Sequence, residues 1–462
     1  MQDLLDGEFD SPPSPPICYL YRRIKSFKAD TLSLIKFAHA SDLHLGAPFS
    51  GISKTEDSGI KDKLVNATYL AYDNLISKCI DNDVDALILS GDIFDLADHN
   101  YLAQQKFKQG VEKLDSFSIK VFACRGNHDP LDGWDPKLIM PKNYKEFGPK
   151  VESFPVFEDE PNKVVVHGVS YPTREVLVNL VEKEFSQSKI NKKFFNIGVL
   201  HANVGNNSEH AQYSPCSISD LSDTGHDYWA LGHIHKRQIL KERNPAIVYS
   251  GNTQSRHRNE SGEKGFYIID VDENKEINMQ FEAVDVVRFV DLSVSIQGAQ
   301  SIEGLYRKID ELIMSQYRKS SSIDLVLNII ITGSGVLHED FAKGRYKKEE
   351  ILQIINENWA NKTPFVWCGN LILETSREIN REDLKKRDDI VGNFLLEVDI
   401  WKNNPQKQED ILEIIQEELY KNTKFSKYLA GSFFKDLNIK ELIDHADRLS
   451  LSKLLREAPD ED

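Results

Sequence analysis

The residues able to do chemistry stand in five short polar stretches: Ser41-Asp42-Leu43-His44-Leu45-Gly46, Gly91-Asp92-Ile93-Phe94-Asp95, Gly126-Asn127-His128-Asp129, Leu200-His201-Ala202 and Gly232-His233-Ile234-His235. Carboxylates, imidazoles and an amide oxygen suit manganese, iron or zinc, whereas a thiolate site would draw on cysteine. The seven potential ligands Asp42, His44, Asp92, Asn127, His201, His233 and His235 are too many for one ion with open positions. They suit two ions sharing a bridging carboxylate. Two ions about 3.5–4 Å apart clamp a phosphate, generate a hydroxide and stabilise both the attacking and the leaving oxygen. Alternate residues of a strand face the same side, so Asp42-x-His44 and His233-x-His235 can each aim two ligands at one place. Gly91, Gly126 and Gly232 let the backbone turn sharply where ligands crowd.

Each stretch alone has an ordinary reading. Asp42 caps a helix or turn, Gly-Asn is turn chemistry, His201 is a structural histidine, and His233 and His235 are satisfied polar residues at a strand end. The joint occurrence, in order and each after an apolar run, favours the metal reading. His39, His99, His210, His338 and His445 read as surface or structural histidines. His167, after three valines, is a candidate to support a ligand from behind. His226 and His257 receive no role.

The elements that must position these residues are apolar runs ending at them. Leu34–Ala40, Ala86–Ser90 and Lys120–Cys124 read as strands, with helices over Lys63–Asp83 and Tyr101–Leu114 between them. This alternation implies crossover units and a largely parallel sheet, and ligands of such sheets bind beyond the carboxyl ends of the strands. Later runs at Val164–Val169, Ile197–Leu200, Trp229–Leu231, Ile247–Tyr249 and Phe266–Val271 lie closer together, so part of the sheet is expected to be antiparallel. A second section starts near Val287: strand Phe289–Ile296, helix Ile302–Ser315, strand Leu325–Thr332, helix Lys348–Glu357 and strand Phe365–Glu374. From Arg381 the pattern is mostly helical, with amphipathic stretches at Asp410–Tyr420 and Ile439–Leu455. The expected organisation is an extension over 1–34, a catalytic domain over 35–285, a small α/β domain over 286–380 and a helical region over 381–462.

Composition sets outer bounds. The 462 residues are 40% hydrophobic and 28% charged, as in globular chains. The net charge of −16 argues against a broadly basic nucleic-acid coat, though not against a local basic groove. Cys18, Cys79, Cys124, Cys216 and Cys368 are odd in number and form no CxxC pair, which fits reduced thiols. No run approaches the ~20 apolar residues of a membrane span. Residues 1–34 go from an acidic, proline-rich stretch (Asp10–Pro16) to a basic one (Tyr21–Lys25), without the apolar core of an export signal. They read as a flexible extension, and the cytoplasm is the default compartment. Arg125, Lys236, Arg237, Arg256 and Arg258 flank the motifs and could neutralise phosphates. Arg256 and Arg258, in a Gly/Asn/Ser-rich loop, are the strongest of these.

In the order D-x-H, G-D-x-x-D, G-N-H-D, a single His and G-H-x-H, the chain resembles the calcineurin-like metallophosphoesterase superfamily over Ile35–Val271. The wording FAHASDLHLG, LSGDIFD, CRGNHDP, YWALGHIH and SGNTQSRHRNESGEKGFY is similar to the nuclease subunits of SbcCD-type DNA repair complexes, in particular a YhaO-like bacterial branch. The resemblance implies a β-sandwich of mixed sheets flanked by helices, with a smaller α/β capping domain and a helical tail. It also implies two divalent ions, most commonly Mn²⁺. Asp42, His44 and His235 would hold one, Asn127, His201 and His233 the other, and Asp92 would bridge. His128 would meet the phosphate and serve the leaving oxygen, and Asp95 would orient His128. The implied activity is an exonuclease or phosphodiesterase acting on DNA in repair. The implied partners are an SMC-like coiled-coil ABC-type ATPase and a second copy of the chain, with no membrane. A phosphoesterase for small molecules or phosphoproteins has the same core motifs, and a non-catalytic scaffold is the third reading. The long stretch after the core and the complete ligand set weigh against these two.

Overall fold

The structure, a computed structural model, describes residues 33–47, 58–95, 100–133, 138–160, 163–187, 190–205, 212–320, 322–377, 381–421 and 438–457. The expected extension (apart from its last two residues), His99 and His210 lie outside them. The chain opens with β1 (Ser33–Ala40), α1 (Ser58–Asp81), β2 (Ala86–Ser90), α2 (Tyr101–Ser116) and β3 (Lys120–Cys124). It continues through β4 (Tyr144–Glu146), β5 (Glu152–Pro155), β6 (Val164–Gly168), α3 (Leu180–Lys183), β7 (Phe195–His201) and α4 (Ile218–Asp223). Next come β8 (Tyr228–Gly232), β9 (Gln238–Lys241), β10 (Ala246–Tyr249), β11 (Gly265–Asp272) and β12 (Ile277–Ala283).

These strands form two six-stranded mixed sheets, ordered β12-β11-β1-β2-β3-β4 and β5-β6-β7-β8-β10-β9. In the first, β1 to β4 run parallel and β11 and β12 are antiparallel. In the second, β6, β7, β8 and β10 run parallel between antiparallel edges β5 and β9. Period-two alternation builds the layers. Ile35, Phe37, Ala86, Ile88 and Phe122 face Val166, Ile197, Tyr228 and Val248 in one shared core between the sheets. Ala38, Leu87, Leu89 and Val121 turn the other way, onto Leu75 of α1 and Phe107, Val111 and Leu114 of α2. Leu200, Trp229, Leu231 and Ile247 turn outward from the second sheet onto Leu180 and Leu221. Strands covered on both faces read as continuous apolar runs, which is why these were visible in the sequence. Helix α2 begins where the Asn100 side chain accepts the N–H of Ala103 at 3.0 Å, an N-cap.

Register aligns the strand ends. Ala40 pairs with Leu89 and Ser90 with Cys124, while His201 pairs with Gly232. Between the sheets, buried His39 meets the Tyr228 hydroxyl and the Ser90 hydroxyl, each at 2.9 Å. It is therefore a structural histidine.

Beyond the sandwich lie β13 (Val287–Ser295), α5 (Ile302–Lys319), β14 (Asp324–Ser334), α6 (Leu337–Ala342), α7 (Lys348–Trp359) and β15 (Val366–Ser376). The three strands form a sheet ordered β13-β14-β15. Helices α8 (Arg381–Lys385), α9 (Ile390–Asn403), α10 (Pro405–Lys421) and α11 (Ile439–Glu457) complete the described chain. Val391 and Leu395 of α9 pack on Leu451 of α11. The chain divides into two compact units. One takes in the described residues up to Leu292 with Met314–Asn328 and Leu352–Asn370; the other takes in Ser293–Ile313, Ile329–Ile351 and the chain from Leu371. No helix among the described residues is long and apolar enough to cross a membrane.

Candidate metal centre

The five polar stretches meet at the aligned strand ends. The loops after β1 and β2 stay hydrogen-bonded as they leave the sheet: Asp42 N–H to Gly91 O at 3.1 Å, His44 N–H to Asp92 O at 3.0 Å and Leu45 N–H to Ile93 O at 2.9 Å. The loop after β3 joins them through Asp129. Its Oδ1 accepts the N–H groups of Asp92 (3.2 Å) and Gly126 (2.7 Å), and its Oδ2 those of Ile93 (2.8 Å) and Phe94 (3.3 Å). The His128 N–H reaches Asp92 Oδ1 at 2.9 Å. From the second sheet, the His233 N–H lies 3.1 Å from Asp42 Oδ1. Asp42, His44, Asp92 and His233 all hold positive φ, at 52°, 43°, 51° and 97°. That left-handed backbone is unusual for residues with a side chain and is concentrated at functional sites.

The donor atoms converge. His44 Nε2 lies 3.2 Å from His235 Nε2 and 3.7 Å from Asp92 Oδ2. His235 Nε2 is 3.9 Å from Asp42 Oδ1, and His201 Nε2 is 3.4 Å from Asp92 Oδ2. Asn127 Oδ1 sits 3.0 Å from His201 Nε2 and 3.2 Å from His233 Nδ1. His201 is oriented from behind, its Nδ1 3.0 Å from the Ser90 carbonyl. Asp42, His44, Asp92 and His201 are all buried. His128, at the rim, has Nδ1 3.2 Å from Asp95 Oδ1. Three overlapping sets could each hold an ion, with ligand atoms within 4.8 Å of one another: Asp42, His44 and His235; Asp42, Asp92 and His201; and His44, Asp95 and His128.

A family profile for calcineurin-like phosphoesterases matches residues 35–237. An uncharacterized Bacillus subtilis metallophosphoesterase, YhaO, is 32% identical over 370 residues, spanning 80% of this chain and 88% of the relative. The chain belongs to the calcineurin-like metallophosphoesterase family. This metallophosphoesterase is also similar to the DNA double-strand break repair protein Mre11 of Methanocaldococcus jannaschii, at 26% identity over 286 residues (59% of this chain, 73% of the relative). The SbcD component of the Bacillus subtilis nuclease SbcCD is 24% identical over 282 residues (53% of this chain, 68% of the relative).

The family uses a dinuclear metal site, and the residues of this metallophosphoesterase fit one. Burial opposes ionisation of Asp92, but His201, His44 and His128 outweigh it and hold the carboxyl well below its usual range. Burial alone would lower His201, yet the Asp92 carboxylate raises it to about 9. Burial, with Arg256 nearby, pushes His44 well below its usual value, leaving a neutral ring with a lone pair to give. Burial also raises Asp42, against His235 and His201. At the rim, the His128 hydrogen bond lowers Asp95; burial lowers His128, but Asp95 and Asp92 leave it raised.

The arginines divide. Arg125, expected at DNA, is buried, with its Nε 2.9 Å from Glu146 Oε2. Arg256 lies at the site, Nη1 3.5 Å from Asp95 Oδ2, and its buried Nε has no hydrogen-bond partner. Arg258 is exposed. His167 supports no ligand; its ring bonds Ser153 Oγ at 2.7 Å and Asn196 Oδ1 at 3.2 Å. Two residues escaped the sequence reading. Asp129 closes the motif Gly126–Asp129 and ties two ligand loops; burial and the nearby Asp92 raise it to about 6. Glu260 holds His235, with burial opposing its ionisation and the His235 hydrogen bond winning, so that it falls to about 2.

Proposed function

We propose that the chain is a metal-dependent nuclease that hydrolyses DNA phosphodiester bonds in repair. The observation that carries this reading is the buried ligand cluster with a separate His128–Asp95 pair at its rim. The relatives named for DNA repair and for a nuclease support DNA as the substrate. Asp42, His44 and His235 would hold one ion, Asn127, His201 and His233 the other, with Asp92 between them, and Mn²⁺ is the proposed metal. When bound, two such ions supply Lewis-acid charge to a phosphate and acidity to a water.

The chain's own groups do the rest. Asp95 holds His128 at Nδ1, fixing the ring so that Nε2 carries the proton to the leaving oxygen. Against its burial, the Asp95 and Asp92 carboxylates raise the His128 pKa, which favours the protonated ring. Arg256 and Arg258 neutralise DNA phosphates. The working form is a cytoplasmic dimer bound to an SMC-like coiled-coil ATPase.

The test is incubation of the purified protein with linear duplex DNA, single-stranded DNA, cyclic dinucleotides and p-nitrophenyl phosphate, with Mn²⁺ and with chelator. Chelator-sensitive DNA cleavage is expected. Turnover of small esters alone favours a small-molecule phosphoesterase. Absence of any metal-dependent activity in folded protein favours a scaffold.

A further inference from the structure

Glu260 stands on the segment that leaves β10 in the second sheet and enters β11 in the first. Its side chain is buried, and both oxygens are engaged. Oε1 lies 2.5 Å from His235 Nδ1 and 3.3 Å from His257 Nε2. Oε2 accepts the Arg256 N–H at 2.7 Å and the Asn252 side-chain amide at 3.0 Å. The two nitrogens of His235 are thereby divided. Nδ1 belongs to Glu260, and Nε2 faces His44 Nε2 at 3.2 Å and Asp42 Oδ1 at 3.9 Å. An imidazole donating Nδ1–H to a carboxylate keeps its Nε2 lone pair for a cation and is held in one orientation. The same segment grips the His235 main chain, whose carbonyl accepts the Asn252 N–H at 3.2 Å and the Lys264 ammonium at 3.4 Å. On its other oxygen, Glu260 holds the backbone of Arg256, whose guanidinium reaches Asp95, the partner of His128.

We infer that Glu260 is a positioning residue: it sets the tautomer and ring orientation of His235 toward one ion and seats Arg256 beside the Asp95–His128 pair. The inference rests on the metal-centre reading above. Glu260 acts through His235 and Arg256 and touches neither ion nor phosphate.

The test is calorimetric titration of Mn²⁺ into metal-free, full-length protein, with the unfolding temperature of the metal-free form measured in parallel. Wild type is expected to bind about two equivalents. Glu260→Gln keeps the side-chain volume but leaves one acceptor oxygen where there were two. It is expected to weaken one Mn²⁺ site about 10–100-fold and leave the other unchanged, with a modest fall in the metal-free unfolding temperature from the lost acceptor. A lowered unfolding temperature with equal weakening of both sites would mean that Glu260 only packs, and overturns the inference. Wild-type affinity at both sites in Glu260→Gln overturns it too. Should that variant fail to fold, Glu260→Asp, with its shorter reach, is expected to show the same one-site loss; failure of both to fold makes Glu260 a folding residue and ends the proposal. A wild type that takes up no Mn²⁺ overturns the metal-centre reading itself, and this inference with it.

Discussion

The two sheets of the sandwich bring different chemistry to the same edge. From the first come Asp42, His44, Asp92, Asp95, Asn127 and His128, on loops that follow β1, β2 and β3. From the second come His201, His233 and His235, at the ends of β7 and β8. The negative charge is all on one side and the second side is all imidazole. Two of the three candidate ligand sets, Asp42 with His44 and His235 and Asp42 with Asp92 and His201, draw on both sheets, whereas His44 with Asp95 and His128 draws on the first alone. Gly91 and Gly126 of the first sheet lie against the His201 ring, and Gly232 of the second lies against the Ser90 carbonyl. A side chain on any of the three would hold the sheets apart.

Removing Asp92, the carboxylate proposed to bridge the ions, is the strongest way to break this arrangement. Asp92→Ala is expected to empty both ion positions, read as metal content after Mn²⁺ loading and desalting; full metal content would strip the first sheet of its bridging part. His128→Ala should separate chemistry from assembly, with metal content unchanged and turnover down about 10²–10⁴-fold, the usual contribution of a general acid. The wild-type rate should fall as pH rises through the elevated His128 pKa, because the acid form is lost, and that alkaline limb should vanish in the variant. The closeness of the sheets is tested by Gly232→Ala, whose Cβ would stand 1.9 Å from the Ser90 carbonyl oxygen. A loss of about 1–3 kcal/mol is expected from such overpacking, measured by chemical denaturation, together with weakened metal uptake. The smallest effect belongs to the segment that crosses from one sheet to the other. Arg258→Ala should weaken DNA binding by a similar factor on all sequences and reduce the slope of log affinity against log salt by about 1.

Much of this was legible in the sequence because buried parallel strands are apolar throughout. Ala86–Ser90 and Lys120–Cys124 begin and end in the structure where their apolar runs do. β4, β5, β9 and β12 left no such trace: as edge or near-edge strands such as Tyr144-Lys145-Glu146 they keep polar, half-exposed residues and show no run. The ligand candidates stood out as polar residues at run ends, and the structure gathers them. The function of their glycines was less visible. Of Gly91, Gly126 and Gly232, Gly91 alone has a positive φ, at 91°, and the other two serve close approach instead of sharp turning. Asp129 and Glu260 were hidden for another reason. Asp92, Ile93 and Phe94, which Asp129 ties, lie 35 to 37 residues before it, and His235 lies 25 residues before Glu260, so only the folded chain brings these partners into reach.

The left-handed backbone at positions 42, 44, 92 and 233 bears on how such a chain can change over generations. Glycine adopts that conformation freely, whereas another residue there forgoes roughly 1–3 kcal/mol. Glycine at position 44 or 233 would relieve that cost, but at 42 or 92 it would also strip the His233 and His128 N–H groups of their buried carboxylate acceptors.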